Sequence, residues 1–247
     1  MTSANVDRFN SEAAEWDSNP TVLQASHLAH QAILARLPER DVTSTYDVLD
    51  LGCGTGLLSL PLSSSVRSVT AVDAAEGMIA ALHMKLSDPA TKVTNVRAVS
   101  VLLEDPNDPA IRTDPVDDAS DQPRRFDLVV SHLVLHHIPD MHAVLRTMLG
   151  CLKPGGRVML TDFENFGPEA RKFHPEYKME GVERHGIGRA DMEELLKEVG
   201  FVDVKVETAF ELDKAVEMVP GNKVMKSIAR FPFLICCGRK PGSIDVK

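Results

Sequence analysis

Two spacings of apolar residues alternate along the chain. Short apolar runs, most of them rich in Val and bounded by Gly, Pro, Asp or Ser, fall within residues 42–51, 66–73, 93–103, 126–132, 157–162, 201–210 and 231–238. Such runs predict buried strands. Between them the apolar residues recur every three or four positions. Met78, Ile79, Leu82 and Leu86 mark a helix over 75–87, and similar stripes mark helices over 141–152 and 190–200. Lys153-Pro154-Gly155-Gly156 should end the second of these, and Gly200 the third. A further helix should begin at Leu57; Pro61, which has no N–H, must sit in its first turn or kink it. Strands that alternate with helices predict a parallel, doubly wound α/β sheet. The last two strands are joined by a helix or loop without a clear crossover helix, which allows one of them to run antiparallel.

Three segments stand apart from this alternation. In residues 1–40, Phe9, Ala13 and Trp16 share a helical face, Asn19-Pro20 breaks the helix, and 22–37 reads as a second one with Leu23, Leu28, Ile33, Leu34 and Leu37 available for burial. The pair is either a packing extension or a lid that brings the only Trp to a ligand. Residues 104–125 are rich in Asp and Pro and read as a solvated insertion. Residues 165–188 form a long polar connection that carries His174 and His185.

Composition narrows the function. The chain has 247 residues and 43% hydrophobic content, enough for one sizeable core. A formal net charge of −9 argues against a nucleic-acid partner. No apolar run is long enough to span a membrane, and the polar first 17 residues do not read as a secretory signal. Cys53, Cys151, Cys236 and Cys237 lack zinc-ligand spacing. A cytoplasmic protein is expected.

Candidate chemistry centres on Asp50-Leu-Gly-Cys-Gly-Thr-Gly56. Gly52, Gly54 and Gly56 permit a tight turn where a ligand can approach bare backbone, at what should be a helix start. Asp73 closes the second strand about twenty residues beyond Gly52, where a carboxylate can accept both hydroxyls of an adenosine ribose. A dinucleotide fingerprint would need Gly at Leu57, and no Gly-Lys-Ser/Thr turn is present, so neither a dinucleotide nor a nucleoside triphosphate fits. The glycine turn, Asp73, Ser131 with His132, and Asp162 all fall at predicted strand carboxyl ends and should converge on one face.

With these pieces in hand the chain resembles the class I S-adenosylmethionine (SAM)-dependent methyltransferases. The matching stretches are the 50–56 turn, Val72-Asp-Ala-Ala-Glu-Gly-Met78, Phe126-Asp-Leu-Val-Val-Ser-His132 and Leu152-Lys-Pro-Gly-Gly-Arg157. Phe9, Ala13, Trp16 and Asp17 look like the N-terminal lid of small-molecule members of the ubiquinone/menaquinone type. Leu135-His-His-Ile-Pro-Asp140 and Glu180-Gly-Val182 with His185-Gly186 fit the same subgroup, including fungal members. The resemblance implies one domain over 1–247, with a lid at 1–40, a SAM-binding core at 41–165, and a substrate-side connection with C-terminal strands at 166–247. The implied fold is α/β, a doubly wound, mostly parallel seven-stranded Rossmann-like sheet with an N-terminal helical lid. Gly52, Cys53 and Gly54 should line the methionine part of SAM, with Asp50 beneath. Asp73 should hold the ribose with Ala74 beside it, Met78 should pack on the adenine, and Trp16 should cover the ligand. Ser131 and His132 should flank the sulfonium. The family's Asp after the third strand is missing, and Leu103 or Glu104 takes its place.

Methyl transfer needs in-line alignment, exclusion of water and, for some acceptors, a base. His136, His137, His185 and His174 are the candidate bases, because histidine titrates near neutral pH. Asp162 and Glu164 can orient a histidine, bind substrate or cap the chain. A metal site from His174, Glu176 and His185 lacks a compact motif, so no metal is expected. The expected activity is methylation of a small-molecule O, N or S nucleophile, with a secondary-metabolite thiol among the acceptors considered. Carbon methylation of a quinone-like ring and a non-catalytic SAM-binding regulator are the alternatives.

Overall fold

The computed structural model describes residues 3–112, 123–222, 224 and 226–242. Helices α1 (Ser3–Trp16), α2 (Pro20–Leu34) and α3 (Arg40–Thr43) lead into β1 (Asp47–Leu51), α4 (Ser59–Ser63), β2 (Ser68–Asp73), α5 (Glu76–Ser87) and β3 (Val96–Ser100). Then follow β4 (Phe126–His132), α6 (Met141–Cys151), β5 (Leu152–Phe163), α7 (Arg189–Val199), β6 (Val202–Glu217) and β7 (Lys226–Arg239). The seven strands form one sheet in the order β3-β2-β1-β4-β5-β7-β6. The first five are parallel, and β7 runs antiparallel to both β5 and β6. Strand order reverses between β1 and β4, where such sheets place their ligands.

The two faces of the sheet bury separate clusters. Leu49, Val129, Leu145, Met148 and Leu196 belong to one; Val48, Leu62, Ile79, Leu82 and Leu128 belong to the other. Consecutive residues Val48 and Leu49 point to opposite faces and both are fully buried, which is why β1 reads as a continuous apolar run. Asn19 starts α2 by accepting from the N–H groups of Thr21 and Val22, and Gly200 ends α7 with φ +109°.

Several boundaries differ from the sequence expectation. Residues 40–43 form a helical turn, so β1 starts only at Asp47. The helix expected from Leu57 starts at Ser59 and is only five residues long, with Pro61 in its first turn. Leu23 is 41% exposed rather than buried. Lys153–Gly156 belong to the start of β5, directly after Cys151. Residues 113–122 of the expected insertion lie outside the described residues; the flank before them is anchored by the fully buried Ile111. The largest difference is at the C-terminal end. No helix separates the last two strands among the described residues; they continue as a paired hairpin to Glu217↔Lys226. The extension is held together by burial on one face, with Leu212, Val216 and Phe231 inside and Glu211 and Asp213 outside.

Candidate active site

Two adjoining cavities open at the carboxyl ends of β1, β2 and β4, and Gly52, Asp73 and Val134 line both. The turn after β1 is shaped by glycines in the left-handed region, with φ +75° at Gly52 and +53° at Gly54. A Cβ on Gly52 would lie 2.3 Å from Val134 Cγ2, whereas one on Gly54 would project into the cavity toward Trp16 and Met78. Bare backbone is therefore a packing requirement at the first position and a condition of ligand approach at the second. With α4 so short, little helix dipole stands behind this turn.

Two carboxylates form the acidic floor. Asp50 is fully buried and accepts a hydrogen bond from Ser59 Oγ at 2.5 Å. Burial, opposed by that hydrogen bond and reinforced by the nearby Asp73, pushes its carboxyl up to about 7. Asp73 accepts from the N–H of Gly54 and of Ala75, each at 2.9 Å, so it pins the turn to the end of β2. Burial raises its pKa as well, against those backbone hydrogen bonds. Each oxygen keeps a second lone pair for a ligand hydroxyl. Among the described residues neither carboxylate has a cationic partner. Cys53, beside them, is buried and its thiol is pushed up by burial, so it is an apolar wall rather than a nucleophile.

The histidines cluster across the cavity. The Asp162 carboxylate, fully buried, accepts from His136 N at 3.1 Å, from Phe163 N at 2.9 Å and from His136 Nδ1 at 2.8 Å. A carboxylate only accepts, so Nδ1 carries the hydrogen and Nε2 presents its lone pair. That Nε2 is buried, has no hydrogen-bond partner among the described residues, and belongs to a ring that lines the cavity. His137 is fixed in the same way by Gly181 O at 2.9 Å, but its Nε2 lies 3.4 Å from Arg8 Nη2, which donates to it. His132 Nδ1 bonds Thr161 Oγ1 at 2.8 Å. Burial lowers the pKa of His132 to about 4 and of His137 to about 2, and lowers that of His174 too, so all three are neutral at physiological pH.

Helix α1 ties the two ends together. Asn10 Oδ1 accepts from Gly77 N at 2.8 Å, and Asp17 pairs with Thr55 and Lys85 on the β1–β2 side. On the other side Arg8 Nη1 donates to Glu180 O at 2.8 Å, and Glu12 pairs with Lys178 at 2.8 Å. Phe9 meets Trp16 and His137 edge-on, at 5.7 and 5.3 Å.

The expected site residues fall into groups. Trp16, Asp50, Gly52, Cys53, Gly54, Asp73, Met78, His132, His136, His137 and His174 line the first cavity. Ala74, Leu103 and Glu104 line the second, with Gly52 and Asp73. Met78 thus lies with Phe9 and Trp16, and not beside Leu103 and Glu104. Ser131 Oγ donates to Leu51 O at 2.7 Å and lines neither cavity. His185 lines neither cavity as well. The ligating atoms that do approach each other belong to His136, His137 and His174, all within 4.8 Å, and not to the set His174, Glu176 and His185. The Arg8 guanidinium beside His137 and the ammonium of Lys214 on the same cavity set positive charge against a resident cation there. Sequence reasoning missed Arg8, Phe173, Lys178 and Lys214 as lining residues. Lys214 carried a usable signal, its inward register with Leu212 and Val216, visible only if the strand is read past Phe210.

A family model described as "Methyltransferase domain" matches residues 23–206. The ubiquinone biosynthesis O-methyltransferase of Pseudomonas aeruginosa (strain LESB58) is 28% identical over 172 residues, covering 69% of this chain and 66% of that protein. The chain thus spans just under two thirds of the length of that relative. Among solved structures, the YcgJ protein of Bacillus subtilis superimposes with TM-score 0.62 at 16% identity, covering 87% of this chain and 97% of that one. Phosphoethanolamine N-methyltransferase 2 of Haemonchus contortus, in complex with S-adenosyl-L-methionine, gives TM-score 0.59 at 17% identity, covering 94% and 60%. Both likenesses are of fold.

Proposed function

Since the chain belongs to the methyltransferase-domain family, we propose that it transfers the methyl group of SAM to a nucleophilic atom, foremost a hydroxyl, of a small molecule held over His136. The observation that carries the reading is the His136–Asp162 pair, with a partnerless Nε2 on a cavity whose other end is an acidic glycine turn.

The residues present fit SAM. Asp50 and Asp73 are buried without a cationic partner, and burial raises the pKa of both, so a cationic ligand is the complement they lack. Gly52 and Gly54 expose backbone to the methionine portion, Asp73 offers lone pairs to ribose hydroxyls, and Leu103 with Glu104 bounds the adjoining cavity for the base. When bound, the cofactor supplies a methyl group activated on a positively charged sulfur. The protein's own work is alignment and drying. Trp16, Phe9 and α1 cover the cavity, and His132 lines it from the end of β4. His136 Nε2 accepts the acceptor's proton while Asp162 holds the ring in the required tautomer.

That pair favours a hydroxyl over a thiol. A phenol, with a pKa of about 10, needs a base at neutral pH, whereas a thiol ionises with little help. The relatives named as O-methyltransferases support the same choice. The test is transfer of labelled methyl from SAM to matched phenols, thiols and amines. Phenols should accept, and His136→Ala should slow them by at least about 100-fold while slowing thiols far less. Tight SAM binding with transfer to no member of the panel would favour a SAM-binding regulator.

A further inference from the structure

Strand β6 is the edge of the sheet; its outer half packs into a cluster with Ala25, Phe163 and Phe173, and Lys214 from it lines the cavity. Along that half, side chains alternate. Leu212 and Val216 are buried at 0% and 4%, and Phe231, opposite Leu212, is at 0%. Lys214 sits between them in the same register, opposite Ala229, and so points inward with them. Its ammonium lies 4.5 Å from the centre of the Phe173 ring. Among the described residues it meets no carboxylate; Asp213, next along the strand, faces out and is taken by Arg230. Burial and the neighbouring Lys178 push its pKa down to about 8. A cation placed on an apolar inward face with a ring face for contact but no carboxylate costs stability.

The rest of the cavity gives that cation a direction. At the glycine turn the lining charges are Asp50 and Asp73. At the far end they are Arg8, Lys178 and Lys214, offset there by Glu12, which Lys178 already uses. Arg8 is occupied by the backbone oxygens of Lys178 and Glu180. Lys214 is the far-end cation without an acceptor of its own. Phe173, stacked on Phe163 at 4.0 Å through one face, has the Lys214 ammonium over the other.

We propose that Lys214 is the specificity residue for the acceptor: it binds a carboxylate or phosphate group of a small acidic molecule held in this cavity, with the reacting atom toward His136. This names the acceptor class for the site described above and rests on that reading. The cavity is then polarised end to end, with acidic groups for the cationic donor and a lysine for the anionic acceptor.

A competing role exists for the same residue. Inward-pointing charges on edge strands discourage pairing with other chains. The two roles separate by experiment. Calorimetric titration of the protein saturated with S-adenosylhomocysteine uses benzoate and phenylphosphonate as anionic probes and benzamide as the neutral match. Binding of at least one anion should exceed that of benzamide by tenfold or more. Lys214→Met should bring the ratio close to one without changing affinity for S-adenosylhomocysteine, and Lys214→Arg should keep it. A preference for phosphonate over benzoate would assign the phosphate source, and the reverse the carboxylate. Equal binding of all three probes, no binding of any, or a ratio unchanged in Lys214→Met would overturn the proposal. A Lys214→Met protein that only self-associates, with the ratio retained, assigns the residue to edge protection. Should S-adenosylhomocysteine itself fail to bind, the cofactor reading falls, and the same three titrations on the free protein still decide the role of Lys214.

Discussion

The two ends of the cavity are built by opposite means. The floor after β1 comes from one short stretch, 50–56, plus Asp73, and its shape is backbone: left-handed glycines pinned by a carboxylate to the next strand. The far wall is assembled from side chains that arrive from α1, the end of β4, residues 173–178 and the β6 edge. The floor binds by geometry that few residue types can adopt. The wall presents a combination of rings and charges that many sequences could supply. One half can thus be common to many enzymes while the other sets what each one acts on.

The largest effect should come from breaking the floor. Gly52→Ala places a methyl on Val134 at a left-handed φ, a combination that costs on the order of 3 kcal/mol. SAM binding by calorimetry should fall below detection while circular dichroism keeps the α/β signature. Asp162→Asn tests the wall. It should lower kcat by about 100-fold or more because the amide no longer fixes the His136 tautomer, with the SAM dissociation constant unchanged. Asp73→Ala should weaken SAM binding by about 1–3 kcal/mol, since it removes ribose contacts and frees the N–H groups of Gly54 and Ala75. Unaltered affinity in that variant would refute the ribose assignment.

A smaller effect links the floor to pH. The Asp50 carboxyl titrates near 7, so protonation below that value removes the negative charge that a cationic donor needs. SAM affinity should rise as pH increases from 6 to 8, by less than about tenfold, with proton release on binding. Stability should run the other way. A carboxyl whose folded pKa lies above its unfolded value lends stability at low pH that is lost as pH rises toward 7. Asp50→Asn should therefore melt higher than the parent at pH 8 and bind SAM more weakly, which differential scanning calorimetry and titration would check together.

The same contrast decides what could be read in the chain. The β1 turn, Asp73 and the strands through β5 were legible because each rests on local pattern: apolar runs, glycines where φ is positive, a carboxylate at a strand end. His136 could be singled out, and Asp162 as able to orient a histidine, but not which histidine, because β4 and β5 bring the pair together across 26 positions. Arg8 was invisible for the same reason, its meaning lying in residues it meets from distant parts of the chain, and the register signal of Lys214 was lost with the strand that carries it. The β6 extension was missed because Glu211, Asp213, Lys214 and Glu217 break up the apolar pattern of a stretch whose buried residues are only Leu212 and Val216, with Phe231 opposite Leu212. His174 looked like a loop residue and packs 5.0 Å from the His136 ring, while His185, equally plausible by sequence, stays off the cavity.

The division of labour itself is tested by one comparison, SAM affinity and kcat measured side by side for His136→Ala. The dissociation constant should stay within about twofold of the parent, and with a phenolic acceptor kcat should fall by about two orders of magnitude. A kcat that survives, or a loss of SAM affinity that accounts for the lost rate, would contradict it.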